Sequence, residues 1–250
     1  MNYPHGGDTL SYREAYGRDP IDFSANLNPL GIPPAVQEAV PRSASLCAAY
    51  PDPFCRRLRR ALAEHEGVPE EAVLLGNGAA DLIFRLAYAL RPARALLVSP
   101  TFSEYEAALS QVGCACSFFR LREEDGFHLT RDILFHIADG YPLVFLCSPN
   151  NPTGQPVGRE LLLEILDACE KHGTLLAVDE CFVDFLDEPE AYTMKPFLRE
   201  HPRLMLFGAF TKLYAMAGLR LGWCLSSDRA LLDAMERAAQ PWSVWTPAQE

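Results

Sequence analysis

Six short, almost wholly apolar runs constrain this chain more than any other feature of its sequence. They occupy residues 72–75, 95–99, 143–147, 175–178, 204–207 and 221–225, and the more polar run 115–121 makes a seventh. Segments with helical spacing lie between them, at 80–90, 103–112, 159–172 and 228–240. A run that is apolar throughout, rather than alternating, suits a strand buried on both faces. Parallel neighbours cannot be joined by a tight turn, so their crossovers have to be long and are usually helical. The pattern predicts an α/β chain with a mostly parallel sheet and helices on both faces. In such sheets ligands bind beyond the carboxyl ends of the strands. The polar motifs fall at those ends: Gly76-Asn77-Gly78-Ala79-Ala80-Asp81, Ser148-Pro149-Asn150-Asn151-Pro152-Thr153-Gly154, Asp179-Glu180 and Thr211-Lys212.

The first forty residues follow a different rule. They are rich in Pro, Gly and Asn, as in HGGDTLSY and SANLNPLGIPP. They read as an arm that packs on something else, with a short helix at 34–40. The YPDP at 50–53 is a rigid turn, and 54–66 has helical spacing. A chain of 250 residues is long enough to bury one large core and carry such an arm.

Composition excludes several function classes. A net charge of -11 repels phosphate backbones, so nucleic acid is not an expected partner. Arg56, Arg57, Arg59 and Arg60 form the dense basic cluster, which reads as the solvated face of a helix. The first ten residues lack the apolar stretch of a secretory leader, and no run is long enough to span a membrane. The eight cysteines are scattered without a CxxC pair. They read as reduced, mostly buried thiols of a cytosolic protein, not as disulfides or metal ligands. Cys114 and Cys116 suit alternate positions on a strand.

Lys212 follows an apolar run and precedes a glycine-punctuated segment that contains Arg220. It is either an ordinary surface charge or an amine held for Schiff-base chemistry. The second role needs a lowered pKa, because only the neutral amine attacks an aldehyde. Partial burial and a nearby Arg220 would provide it. Arg220 can also grip a phosphate with a fork of donors. Asp179, at a strand end, is either a helix cap or the partner of a protonated pyridine nitrogen. Asn151 is either a turn residue or a donor to a cofactor oxygen. Gly78, Ala79 and Ala80 open a helix, where small residues let backbone N–H groups approach a phosphate. GNGAAD lacks the spacing of a dinucleotide fingerprint or of a GxxxxGK[ST] loop.

Together the motifs GNGAAD, PTFSEY, SPNNPTG, VDECFVDF and TKLYAMAGLRLGW, in that order, resemble the fold-type I pyridoxal-phosphate (PLP) enzymes of the class I/II aminotransferase family. The resemblance runs from the arm to the last residue. It implies that Lys212 carries the cofactor covalently and that Asp179 pairs with its pyridine nitrogen. Asn151 would bond the ring oxygen, and Phe102 would stack on the ring. Ala79, Ala80, Thr211 and Arg220 would hold the phosphate, and Tyr50 would reach the phosphate of a neighbouring subunit in a homodimer. Two branches look similar. YPDP, NNPTG and AGLR resemble histidinol-phosphate aminotransferase. HGG, DFSANLNPLG, PTFSEY and the Phe182 of DECFVDF resemble threonine-phosphate decarboxylase of cobalamin synthesis. Phe182 lacks the hydroxyl that many relatives place near the ring oxygen. His5, Asn26 and Asn28 would then contact the substrate phosphate or carboxylate, or else serve as turn and cap residues.

The resemblance also implies a division into residues 1–45, an arm with part of a small domain, and residues 46–250, the large PLP-binding domain. Family members continue beyond the position of Glu250 into the rest of that small domain, which is expected to be truncated here. The arginine that grips the substrate carboxylate belongs to that part, and no arginine in this sequence is assigned to it. The expected activity is that of a PLP-dependent decarboxylase or aminotransferase acting on a phosphorylated amino compound. The competing expectation is a truncated fold that binds PLP without turnover.

Overall fold

The computed structural model describes residues 6–250, so the expectation for His5 lies outside the described residues. Seven strands form one sheet: β1 Val73–Gly76, β2 Arg94–Ser99, β3 Ala115–Arg120, β4 Leu143–Cys147, β5 Leu175–Asp179, β6 Leu204–Ala209 and β7 Gly222–Ser226. Their spatial order is β1-β7-β6-β5-β4-β2-β3. Strands β2 to β6 pair in parallel, while β7 runs antiparallel to both β6 and β1. The expected α/β architecture is therefore present, with one reversed strand.

Alternation along the strands divides the core into two layers. Leu96, Val144, Leu146, Leu176, Val178 and Leu206 face one side, against α3 Arg56–Glu66, α6 Ile133–Ile137 and α7 Arg159–Lys171. Leu97, Phe145, Ala177, Met205 and Phe207 face the other, against α4 Gly78–Leu90, α5 Glu104–Ser110 and α8 Arg229–Arg237. Leu143, Val144, Leu176 and Val178 are fully buried. Each such side chain contributes about 1.5–3 kcal/mol relative to exposure.

The reversed strand has a consequence for function. The parallel strands β2, β4, β5 and β6 end at the same edge where β7 begins. Registry fixes this: Cys147 lies beside Asp179, Asp179 beside Phe207, and Gly222 beside both Ala209 and Gly76. The residues just before β7, including Arg220, are thereby delivered to the carboxyl edge of the sheet. Arg220 itself adopts a left-handed conformation with φ 53°, which turns the chain into β7.

Three helices were not legible in the sequence. The arm holds α1 Thr9–Tyr16, capped where Asp8 Oδ1 accepts the Ser11 N–H at 3.1 Å and closed by Gly17 at φ 67°. α6 is a short helix, and α9 Thr246–Gln249 packs against α2 Pro34–Ser43. The arginine cluster needs one correction. Arg57 and Arg60 are exposed, but Arg59 turns inward and pairs with Glu236 at 3.1 Å, its side chain 17% exposed. All eight cysteines are free thiols, and five are buried. Cys114 lies one residue before β3 and Cys116 within it. No cluster of metal-ligating side chains occurs among the described residues.

Candidate active site

The carboxyl edge of the sheet opens into a cleft. Lys212, Asp179, Arg220, Thr211, Asn151 and Phe102 line it, together with Ala79 and Ala80 of the α4 N-terminus. They come from the ends of β1, β2, β4, β5 and β6 and from the segment just before β7, where the sequence places its polar motifs. The structure therefore brings together all the expected cofactor residues except Tyr50.

Asp179 closes β5 and is buried. Its Oδ2 accepts the Tyr105 hydroxyl at 2.7 Å, and its Oδ1 accepts the Cys181 N–H at 2.9 Å. Both donors are neutral. A buried carboxylate held only by neutral donors is costly unless a cation faces it. Lys212, on the other side of the cleft, is half-buried, and desolvation lowers its pKa, with Arg220 adding to the fall and Asp179 opposing it. Its Nζ stands 5.5 Å from the centroid of the Phe182 ring. Cys147 and Cys181 also line the cleft. Burial pushes the Cys147 thiol up to about 12 and raises that of Cys181 as well. Both thiols therefore stay protonated.

The opposite end of the cleft is built for an anion. Helix α4 starts at Gly78, where φ is 82°. A Cβ on Gly78 would stand 2.6 Å from Arg220 Nη2, so only glycine lets the guanidinium lie over the helix start. A Cβ on Gly222 would stand 2.4 Å from the Ala79 backbone nitrogen, so β7 and the helix start are in close contact. Unsatisfied N–H groups of a first helical turn, a guanidinium and the Thr211 hydroxyl together suit a phosphate.

Asn151 borders the cleft, whereas its neighbour Asn150 is buried and fully used. Asn150 accepts from Thr101 Oγ1 at 2.9 Å and donates to Pro100 O and Thr153 Oγ1, both at 3.0 Å. Asn26 is exposed on the rim of an adjoining cavity that shares Asn151 and Phe182 with the cleft. Asn28 does not present a free side chain to that space; it bonds to the backbone of Lys212 and Leu213. Tyr50 lines a separate groove, stacks on Trp242 with ring centroids 4.5 Å apart, and is 80% exposed.

Tyr105 was not anticipated. It is fully buried, stacks on Phe145 at 4.1 Å and meets the edge of Phe102 at 5.6 Å. One ring thus supports the candidate stacking residue while its hydroxyl orients Asp179. The available signal was the second aromatic of PTFSEY, three residues after Phe102.

The fold and cleft define an α/β enzyme that binds its ligand at the carboxyl edge of a mostly parallel sheet. The family model for aminotransferase class I and II matches residues 18–250, and the chain belongs to that family. It is 41% identical over 247 residues to threonine-phosphate decarboxylase of Salmonella typhimurium, covering 98% of this chain and 67% of that protein. It is 31% identical over 255 residues to histidinol-phosphate aminotransferase of Geobacillus thermodenitrificans, covering 99% and 67%. The histidinol-phosphate aminotransferase of Clostridium acetobutylicum superposes with a TM-score of 0.82 at 26% identity, covering 90% of this chain and 66% of that one. The Sinorhizobium meliloti enzyme, solved in complex with pyridoxal-5'-phosphate, shares the fold with a TM-score of 0.87 at 21% identity, covering 99% and 67%. The chain spans about two thirds of the length of these relatives.

Proposed function

We propose that this chain holds PLP through Lys212 and acts on a phosphorylated amino compound, as an L-threonine-O-3-phosphate decarboxylase. The observation that carries the proposal is one cleft lined by a buried carboxylate, a half-buried lysine and a helix start beneath an arginine. Those three features fit the three polar parts of PLP. Asp179, with both oxygens oriented by neutral donors, would face the protonated ring nitrogen. The α4 N-terminus, Thr211 and Arg220 would hold the phosphate. Lys212 would hold the aldehyde carbon, Phe102 would pack on the ring, and Asn151 would donate to its oxygen.

PLP, when bound, supplies an electron sink for the bond broken at the substrate α-carbon. The chain's residues do the rest. Asp179 would keep the ring nitrogen protonated. Lys212, lowered by burial, would be suited to move a proton at the substrate α-carbon. The grip on the substrate would choose between losing the carboxylate and losing the α-proton. Asn26, at the rim, and His5 are the arm residues we assign to that grip.

Similarity to the decarboxylase favours the first outcome. Histidinol-phosphate aminotransferase is the second reading, supported by the 31% identical relative. Incubation with L-threonine O-3-phosphate and detection of CO₂, beside keto-acid-dependent amine transfer from histidinol phosphate, separates them. CO₂ release without amine transfer is expected. Amine transfer alone would overturn the decarboxylase assignment, and neither product would favour a fold that binds PLP without turnover.

We assign residues 1–45 to the arm and part of a small domain, and residues 46–250 to the PLP-binding large domain. Tyr50, exposed and remote from the chain's own cleft, suits contact with the phosphate in a second copy, as in a homodimer. Eight free thiols accord with a reducing compartment such as the cytoplasm. No helix among the described residues is long and apolar enough to cross a membrane.

A further inference from the structure

We infer that Asn28 is a positioning residue that fixes the backbone of Lys212 from the arm. The inference rests on the proposed role of Lys212. Asn28 donates its backbone N–H to the Lys212 carbonyl at 3.1 Å and its Nδ2 to the Leu213 carbonyl at 2.8 Å. Among the described residues, these are the hydrogen bonds that join residues 6–32 to residues 44–250. The contact spans 185 positions of sequence, and it lands on the residue whose placement matters most to the cleft.

The acceptor is a tight turn. The Lys212 carbonyl also accepts the Ala215 N–H at 3.2 Å, and Ala215 adopts a left-handed φ of 50°. Ala215 closes the turn from inside, and Asn28 clamps it from outside. The clamp is itself rigid. Asn28 Oδ1 accepts the Leu30 N–H at 3.0 Å, its carbonyl accepts the Gly31 N–H at 3.1 Å, and Pro29 restricts its backbone. Both ends of the side-chain amide are therefore engaged. A lysine amine hangs from its backbone on four methylenes. Fixing the carbonyls of Lys212 and Leu213 narrows the positions that amine can reach. Docking of the arm and presentation of the amine become one event.

The test uses Asn28→Ala, Asn28→Asp and, as a control in the arm, Gln37→Ala. The Gln37 side chain donates to the Ile32 carbonyl at 2.7 Å, so its removal loosens the root of the arm without touching Lys212. Asp at position 28 keeps the acceptor for Leu30 but turns an acceptor toward the Leu213 carbonyl. The readouts are the rate of PLP release, the pH midpoint of the borohydride-reducible absorbance band, and the melting temperature of the PLP-free chain. Asn28→Ala should release PLP about three- to tenfold faster, as expected for loss of one hydrogen bond, and Asn28→Asp faster still. Both should shift the midpoint while the PLP-free melts and Gln37→Ala stay at wild-type values. Unchanged release and midpoint in both Asn28 variants would overturn the inference. So would changes that appear only with a matching fall in the PLP-free melting temperature, or that Gln37→Ala reproduces. A wild type without the band would overturn the cofactor assignment itself, and the inference with it.

Discussion

Asp179 and Glu180 are consecutive carboxylates, both buried, and the fold uses them in opposite ways. Asp179, the last residue of β5, points into the cleft toward Lys212 and Arg220. Glu180 points away from the cleft, where its Oε2 accepts the Thr193 hydroxyl at 2.7 Å and its Oε1 accepts the Met194 N–H at 2.8 Å. It anchors the loop that returns from the end of β5. Burial raises its pKa to about 7, against the hydrogen bonds that lower it. The pair teaches that neighbouring acids at a strand end can face opposite ways, one into the cleft and one into the fold.

Removing each carboxylate charge should therefore have different symptoms. Asp179→Asn is expected to cost about 100- to 1,000-fold in kcat/KM, in line with the loss of one partner of a buried charge pair. The PLP-free melting temperature should not fall. A melt that drops as far as activity does would erase the distinction between the two acids. Glu180→Gln should act on stability and leave PLP affinity unchanged. An unfolded glutamate titrates at its ordinary 4.5, and the folded one at about 7. The folded chain binds the extra proton between those values, so wild-type stability should fall as pH rises across that window. The loss is on the order of 3 kcal/mol. Denaturant melts of Glu180→Gln from pH 4.5 to 7.5 should lack that slope.

Two smaller effects sharpen the Asp179 side. Arg220→Lys keeps the charge but loses the fork, and PLP affinity should weaken about tenfold by equilibrium titration. Its stability should keep the wild-type pH slope. Tyr105→Phe removes one of the two donors to Asp179 and keeps the aromatic stack. Burial beside Asp179 raises the Tyr105 pKa, so the hydroxyl donates across the working pH range. A three- to tenfold loss in kcat/KM is expected, and no loss would mean that the Cys181 N–H alone orients the carboxylate.

Much of this was legible because it is local. Apolar runs such as Leu143–Cys147 announce buried strands, and the motifs that follow them mark the carboxyl edge. Asp179, Lys212, Arg220 and Asn151 could be selected without knowing what touches them. Tyr105 could not, since its bond to Asp179 joins positions 74 apart, and a buried tyrosine on an apolar helix face looks like core. The direction of Asn28 was hidden for the same reason. Arg59 looked like its exposed neighbours because composition does not reveal which arginine of a cluster faces a partner helix. α1 was obscured by the surrounding Pro and Gly, although Asp8 and Gly17 do carry its capping signals.

The central claim is that Lys212 holds PLP in this cleft. Purified chain should be examined by absorption spectroscopy with added PLP, before and after borohydride, beside Lys212→Ala. The account predicts a visible band in the wild type that borohydride abolishes, with the cofactor fixed to a peptide containing Lys212, and no such band in the variant. No band in the wild type, or an equal band in Lys212→Ala, would contradict it.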